Sequence, residues 1–140
     1  MKLELRRKIT AEEIKQFFPK NCAVYCKDPA YNATSLESMK SFCFLWKKFI
    51  KYFKWTTRRD CDNFAGLFKN NIINFIFNPT IAIGTLDVER GPNNLHELNC
   101  FFHWDQINGL ELIWIEPQNG EIYTSRDQRF REWLPFRVDF

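Results

Sequence analysis

The chain has 140 residues, of which 45% are apolar and 17% aromatic, and its formal net charge is +3. This length predicts one domain with a buried core, and this composition excludes a disordered chain. The charge is too small to indicate nucleic acid as a partner, and no apolar run approaches the roughly 20 residues of a membrane-spanning helix. Because the charged start MKLELRRK has no apolar signal region, we expect a cytoplasmic protein, in the host cytoplasm if a phage encodes it.

Residues 1–57 are predicted to be helical, and a further helix is predicted over 58–78. Start signals of the capping-box form open the first two helices, of which the second runs to about Trp55. The Asp60 carboxylate can cap the free amides of the third helix. Prolines end the first and third helices. These signals are TAEE at 10–13, Pro19, TSLE at 34–37 and Asn78-Pro79.

Residues 79–140 are predicted to form an antiparallel sheet. Five segments are rich in β-branched or aromatic residues, and turn sequences such as RGPNN and QNG separate them. The segments are 80–89, 96–105, 110–117, 121–125 and 134–140. Helices followed by strands predict an α+β fold, with N-terminal helices packed on a C-terminal antiparallel sheet in a single domain over residues 1–140.

One segment, Lys47–Arg59, interleaves basic and aromatic residues. Its lysines share one face of the predicted second helix, and the other face is apolar. A solvated basic face is the simpler interpretation. The alternative is a docking surface for an acidic partner, and we expect neither a membrane nor nucleic acid there.

The five cysteines have irregular spacing, which predicts reduced thiols rather than a disulfide framework. Cys22 and Cys26 form half of a zinc-site pattern without a second half. Cys61 differs from the others because it lies in the first turn of the third helix, where free amides and the helix dipole stabilise a thiolate. The flanking Asp60 and Asp62 oppose that effect, so Cys61 by itself favours a buried thiol over a nucleophile.

Two further residues, His96 and Glu116, give Cys61 a chemical context. His96 opens one predicted strand and Glu116 closes the next, so the two lie close together if the strands form a hairpin. They share a face only if the connection has an odd number of residues, because side chains alternate along a strand. We therefore predict a three- or five-residue connection, or a bulge. In that geometry Cys61 would be the nucleophile, His96 its general base, and Glu116 the group that orients the imidazole.

A cysteine hydrolase, either a peptidase or an amidase acting on a protein or peptide, is the main functional prediction from these residues. The Cys61 amide would hold the oxyanion together with the Thr57 hydroxyl or the Trp55 indole. Two alternatives stay open. One is a transglutaminase-like acyltransferase, and the other is a catalytically inactive scaffold that acts as a binding protein.

Three segments, DCDNFAGLFK, LHELNCFF and GLELIWIEPQNGEIY, resemble a papain-like cysteine peptidase family that includes the C-terminal catalytic domain of the mushroom chimeric agglutinin. They are more distantly similar to the transglutaminase-like fold. The similarity covers about residues 58–123. It implies the same roles for Cys61, His96 and Glu116, and it implies a divalent cation, Ca²⁺ or Mn²⁺, bound by Asp62 and Asp60.

Overall fold

The computed structural model describes residues 4–53, 60–76 and 80–140, and of residues 75 and 76 it describes the backbone alone. These residues form eight strands and four helices. In chain order they are β1 (Leu5–Thr10), α1 (Ala11–Lys15), β2 (Ala23–Tyr25), β3 (Ala30–Thr34), α2 (Leu36–Ile50), α3 (Cys61–Ile76), β4 (Ile83–Glu89), β5 (Leu95–Asp105), β6 (Gly109–Glu116), β7 (Glu121–Tyr123), α4 (Arg129–Glu132) and β8 (Leu134–Asp139).

The eight strands form one mixed sheet. The main path runs β1-β3-β5-β4-β8-β2, and β6 pairs with both β5 and β7. β2 lies parallel to β8, and β3 meets β5 in parallel at a single position. The β4, β5 and β6 strands form the antiparallel centre, where β5 pairs with β4 along its first part and with β6 along its second.

The predicted fold class, N-terminal helices packed on a C-terminal antiparallel sheet, is wrong. Three strands of the supposedly helical part, residues 1–57, belong to the same sheet as the strands of residues 79–140, and two of the pairings are parallel. These N-terminal strands are only three to six residues long. Segments of that length carry too little periodicity to stand out beside the strong helical pattern of α2.

The predicted helix starts agree closely with the structure. The Thr10 hydroxyl accepts from the Glu13 amide at 3.1 Å, and the Glu13 carboxylate accepts from the Thr10 amide, which completes the predicted capping box. α2 begins one residue later than predicted, because Ser35 is its cap. It also ends earlier than predicted, at Ile50. No helix in the described part of the chain is long and apolar enough to cross a membrane.

Apolar layers cover both faces of the sheet. Strand β5 shows the division, because Phe101 contacts the layer under α2 and α3 while Cys100 and Phe102 contact the other layer. The helix-side layer includes Met39, Phe42, Trp46, Phe64, Phe68 and Ile113, and the opposite layer includes Ile9, Ile14, Tyr31, Leu98, Trp114 and Phe140. Side chains that alternate along β5 therefore reach two different environments.

Candidate functional site

A hairpin of β5 and β6 brings His96 and Glu116 to one face of the sheet. The register pairs Asp105 with Gly109, so three residues, 106–108, form the connection. The predicted odd-numbered connection is confirmed. Gly109 has φ = +73°, the left-handed conformation that follows the turn of a three-residue hairpin loop. Had the loop been one residue shorter, the two side chains would lie on opposite faces.

His96 and Glu116 form a buried pair. The Nε2 atom of His96 lies 2.6 Å from Oε2 of Glu116, and the two residues are 6% and 8% exposed. The other carboxylate oxygen, Oε1, accepts from the backbone amide of Gln118 at 3.2 Å. Because both oxygens have partners, the carboxylate is fixed in orientation, and it fixes the imidazole in turn.

A cleft of about 570 Å³ opens over this pair. It is lined by polar and charged side chains of several elements together with two aromatic rings. The lining residues are Cys61, Arg90, Leu95, His96, Glu116, Gln118, Asn119, Glu121, Tyr123, Arg129 and Trp133. We call this site the His96–Glu116 cleft. Its volume is in the range that holds a small ligand.

Aromatic rings and guanidinium groups form one wall of the His96–Glu116 cleft. The Trp133 ring meets the His96 ring edge-on at 6.0 Å, and it meets the Tyr123 ring in the same way at 6.2 Å. The Arg129 guanidinium lies 4.2 Å from the centre of the Tyr123 ring, and that of Arg90 lies 5.5 Å from the centre of the Trp133 ring. Burial, together with the Glu116 carboxylate, raises the pKa of Tyr123 to about 12, so its phenol stays neutral.

Cys61, the predicted nucleophile, begins α3 and lines the same cleft. Burial raises the pKa of its thiol, a hydrogen bond from the Glu97 backbone acts in the opposite direction, and nearby acidic side chains such as Asp62 add to the rise. The structure therefore brings Cys61, His96 and Glu116 into one cleft without stabilising a thiolate. Desolvation of the thiol outweighs the stabilisation expected from the start of the helix.

The remaining predicted site residues have different outcomes. Trp55 and Thr57, the predicted oxyanion donors, lie outside the described residues. The carboxyl of Asp60 is hydrogen-bonded to that of Asp62, which raises the pKa of Asp60. The Ca²⁺ or Mn²⁺ site at Asp62 and Asp60 stays a prediction.

Sequence reasoning missed the wall of the cleft. Arg90 comes from the turn after β4, while Arg129 and Trp133 come from the short helix α4 and its C-cap. The one available signal was the segment RDQRFREW at 126–133, which interleaves arginines with aromatic residues. Its four-residue helix is too short to show a helical period, so its position over the sheet could not be predicted.

The predicted basic face lies on α2. Lys47, Lys48 and Lys51 are exposed there, with the Lys48 ammonium 4.4 Å from the centre of the Phe44 ring. The rest of the segment, residues 54–59, lies outside the described part of the chain. An acidic partner at this face stays a prediction.

Comparisons with known proteins show solved structures with a similar fold, but they do not assign the chain to a family. No family model matches the chain, and no curated protein matches it. Among solved structures, a complex of PSL1a with E64 is similar, with a TM-score of 0.73, 16% identity and coverage of 95% of this chain and 50% of that one. A structure of Polyporus squamosus lectin bound to Neu5Acα2-6Galβ1-4GlcNAc, the human-type influenza-binding epitope, is also similar, with a TM-score of 0.70, 16% identity and coverage of 95% and 49%. This chain spans about half the length of each.

These structural neighbours correct two predictions. The assignment to a papain-like cysteine peptidase family, with its more distant transglutaminase-like resemblance, is wrong, because the similar solved structures are those of a lectin. The prediction of a cysteine hydrolase with a catalytic triad is wrong on the same finding. The physical reason is visible in the cleft. Three residues of the expected types converge there, but burial raises the pKa of the Cys61 thiol.

Proposed function

We propose that this chain is a binding protein and that the His96–Glu116 cleft holds a polar small ligand of the carbohydrate class. One observation carries this proposal. The cleft sets rigid hydrogen-bonding groups, anchored by the buried pair of His96 and Glu116, beside a wall of aromatic rings. A site of this size with a few fixed polar groups is the usual form of a small-molecule site.

The chemistry of the lining suits a sugar. A sugar ring presents apolar C–H groups on its faces and hydroxyl groups around its edge. The rings of Trp133 and Tyr123 offer apolar surface to the C–H groups. Hydrogen-bond donors and acceptors for the hydroxyl groups come from the side chains of Gln118, Asn119 and Glu121. The guanidinium groups of Arg90 and Arg129 add favourable positions for an acidic sugar.

Two further facts support binding rather than hydrolysis. Burial raises the pKa of the Cys61 thiol, which disfavours the thiolate form that a nucleophile needs. A solved structure with this fold is that of a lectin with a sialylated trisaccharide bound, although this chain matches only about half of that protein. The class of ligand is inferred from the similarity to that lectin. The position of the ligand is inferred from the His96–Glu116 cleft of this chain.

The test is a titration followed by NMR. Isotope-labelled protein is titrated with Neu5Acα2-6Galβ1-4GlcNAc and, separately, with the neutral disaccharide Galβ1-4GlcNAc. We expect chemical-shift changes at His96, Tyr123 and Trp133, with the acidic trisaccharide binding more tightly. Trp133→Ala should weaken binding about tenfold or more, since buried aromatic contacts dominate the free energy of binding at small sites.

Cys61→Ala is the matched control, because it changes a cleft residue that has no role in the proposed contacts. It should bind both sugars as the unaltered protein does. The proposal fails if neither sugar shifts the cleft resonances, if the shifts map to another surface, or if Cys61→Ala abolishes binding while Trp133→Ala does not.

A further inference from the structure

A second cluster of ligand-type side chains lies at the loop end of the β5–β6 hairpin, far along the strands from the His96–Glu116 cleft. It consists of His103, Asp105 and Glu111, whose ligand atoms all lie within 4.8 Å of one another. His103 is paired directly across the strands with Glu111, and Asp105 follows His103 by two residues. Strand alternation therefore places all three on the face opposite His96.

The environment of the His103 side chain is the observation that points to a ligand. It is 1% exposed, yet neither of its ring nitrogens forms a hydrogen bond within the described part of the protein. Its Nε2 atom lies 3.0 Å from Oε2 of Glu111, but without the alignment of a hydrogen bond. A buried polar group left in this way costs free energy. The 3.0 Å between His103 Nε2 and Glu111 Oε2 is the spacing of neighbouring ligands around one metal ion with bonds of about 2.1 Å.

The two carboxylates complete an open site. Asp105 is held in place because its Oδ1 atom accepts from the backbone amides of Ile107 and Asn108, at 2.7 and 2.6 Å. Its Oδ2 atom has only a longer contact, 3.3 Å, to the Asn108 side chain. The Glu111 side chain is 40% exposed, so an ion can reach the cluster from solvent.

We propose that His103, Asp105 and Glu111 bind a divalent transition-metal ion, Zn²⁺ or Mn²⁺, at the end of the hairpin. One imidazole nitrogen and two carboxylate oxygens would be its protein ligands, and water would fill the remaining positions. An imidazole ligand suits these ions, whereas Ca²⁺ and Mg²⁺ prefer oxygen ligands alone. The ion would satisfy the buried imidazole and neutralise the two adjacent carboxylates.

The alternative is a plain ion pair between His103 and Glu111. An ion pair of that kind would be expected to direct a ring N–H of His103 at the carboxylate, but neither ring nitrogen has a hydrogen-bond partner among the described residues. Lys40 makes an ion pair with Glu37 at 3.3 Å, so its charge is compensated on the exposed side of α2.

The experiment uses paramagnetic broadening by Mn²⁺ in NMR spectra of the full chain. Sub-stoichiometric Mn²⁺ should broaden the amide resonances of residues 103–111 first, and excess Zn²⁺ should restore them by displacement. Glu111→Gln should weaken the Mn²⁺ affinity by about tenfold or more, since even groups that only orient a metal ligand contribute that much. Because Glu111 is partly exposed, its replacement should leave the fold intact. The NMR spectrum of Glu111→Gln will check this.

Glu89→Gln is the matched control, because Glu89 is a half-buried strand carboxyl outside the cluster. It should leave the broadening of residues 103–111 unchanged. The proposal is overturned if Mn²⁺ broadens another region instead, such as that of Asp62, if Glu111→Gln has no effect, or if no broadening occurs. None of these results bears on sugar binding in the His96–Glu116 cleft, which lies elsewhere on the hairpin.

Discussion

Glu97 and Asp87 face each other across β4 and β5, and their side chains are hydrogen-bonded carboxyl to carboxyl. Burial, the hydrogen bond that protonated Glu97 donates to Asp87, and the charges of Asp87, Asp62 and Asp139 raise the pKa of Glu97 to about 8 from an ordinary value of 4.5. Two carboxylates in contact cannot both ionise without a large repulsion. The folded protein therefore keeps a proton on this pair that the unfolded chain has lost by neutral pH.

This proton predicts how stability depends on pH. The folded state binds more protons than the unfolded state above pH 4.5, so the free energy of unfolding should fall as pH rises and should level off above pH 8. Urea midpoints measured between these limits will show the fall. Glu97→Gln should flatten the profile and stabilise the protein most at the alkaline end, whereas Glu89→Gln should keep the slope. If the free energy of unfolding of Glu97→Gln falls with pH as much as that of the unaltered protein does, this account is contradicted.

At the same scale, the contact of His96 with Glu116 could be predicted from sequence and the state of Cys61 could not. Strand parity and loop length decide which face a side chain occupies, and both can be inferred from the sequence alone. The pKa of Cys61 depends first on its burial and then on groups such as Glu97, which is 36 residues away along the chain and reaches the start of α3 only through the fold. Three-dimensional charge positions are not encoded in any local pattern.

At the scale of elements, a buried hydrogen bond links α2 to the turn after β6. The Trp46 indole donates to the Pro117 carbonyl at 2.6 Å, at a buried position directly after Glu116. Trp46→Phe removes the indole N–H group and leaves the buried Pro117 carbonyl without this donor. We expect a loss of about 1–3 kcal/mol in the free energy of unfolding, measured with urea, plus weaker sugar binding in the adjacent cleft.

Trp114→Phe is the matched substitution, since Trp114 is equally buried but its indole nitrogen has no hydrogen-bond partner in the described part of the protein. It loses similar ring volume and no hydrogen bond. Trp46→Phe should therefore cost about 1 kcal/mol more than Trp114→Phe. Equal losses would mean that packing alone, and no hydrogen bond, holds α2 to this turn.

Sequence patterns predict the strands of residues 79–140 and miss the strands of the N-terminal part. β4, β5 and β6, with seven to eleven residues each, agree with predicted segments, as do the starts of α1 and α3. β2 has three residues, and its place in the sheet depends on pairing with β8, which is more than a hundred residues away along the chain. Pairing over such a separation is a tertiary effect that local periodicity does not contain.

At the scale of the whole molecule, the two ends of the chain hold each other in place. The Phe140 amide donates to the Tyr25 carbonyl at 2.9 Å and extends the parallel pairing of β2 with β8. The Phe140 ring is 3% exposed and contacts rings of the N-terminal part and of β5 at centroid distances of 5.8 to 6.4 Å, namely Phe18, Tyr31 and Phe102. The last residue of the chain thus joins the N-terminal strands to the centre of the sheet.

Phe140→Ala should therefore destabilise the whole protein, although it changes only the C-terminal residue. Removing a buried phenyl ring costs about 3–5 kcal/mol, a large part of the 5–15 kcal/mol that stabilises a typical domain. Phe136→Ala is the control, because Phe136 lies in β8, the strand directly before Phe140, and is 39% exposed, and it should cost less than about 1 kcal/mol. Urea unfolding followed by Trp fluorescence and by far-UV circular dichroism will measure both. A small effect of Phe140→Ala, or separate transitions for the two probes in the unaltered protein, would mean that the N-terminal strands fold independently of the central sheet.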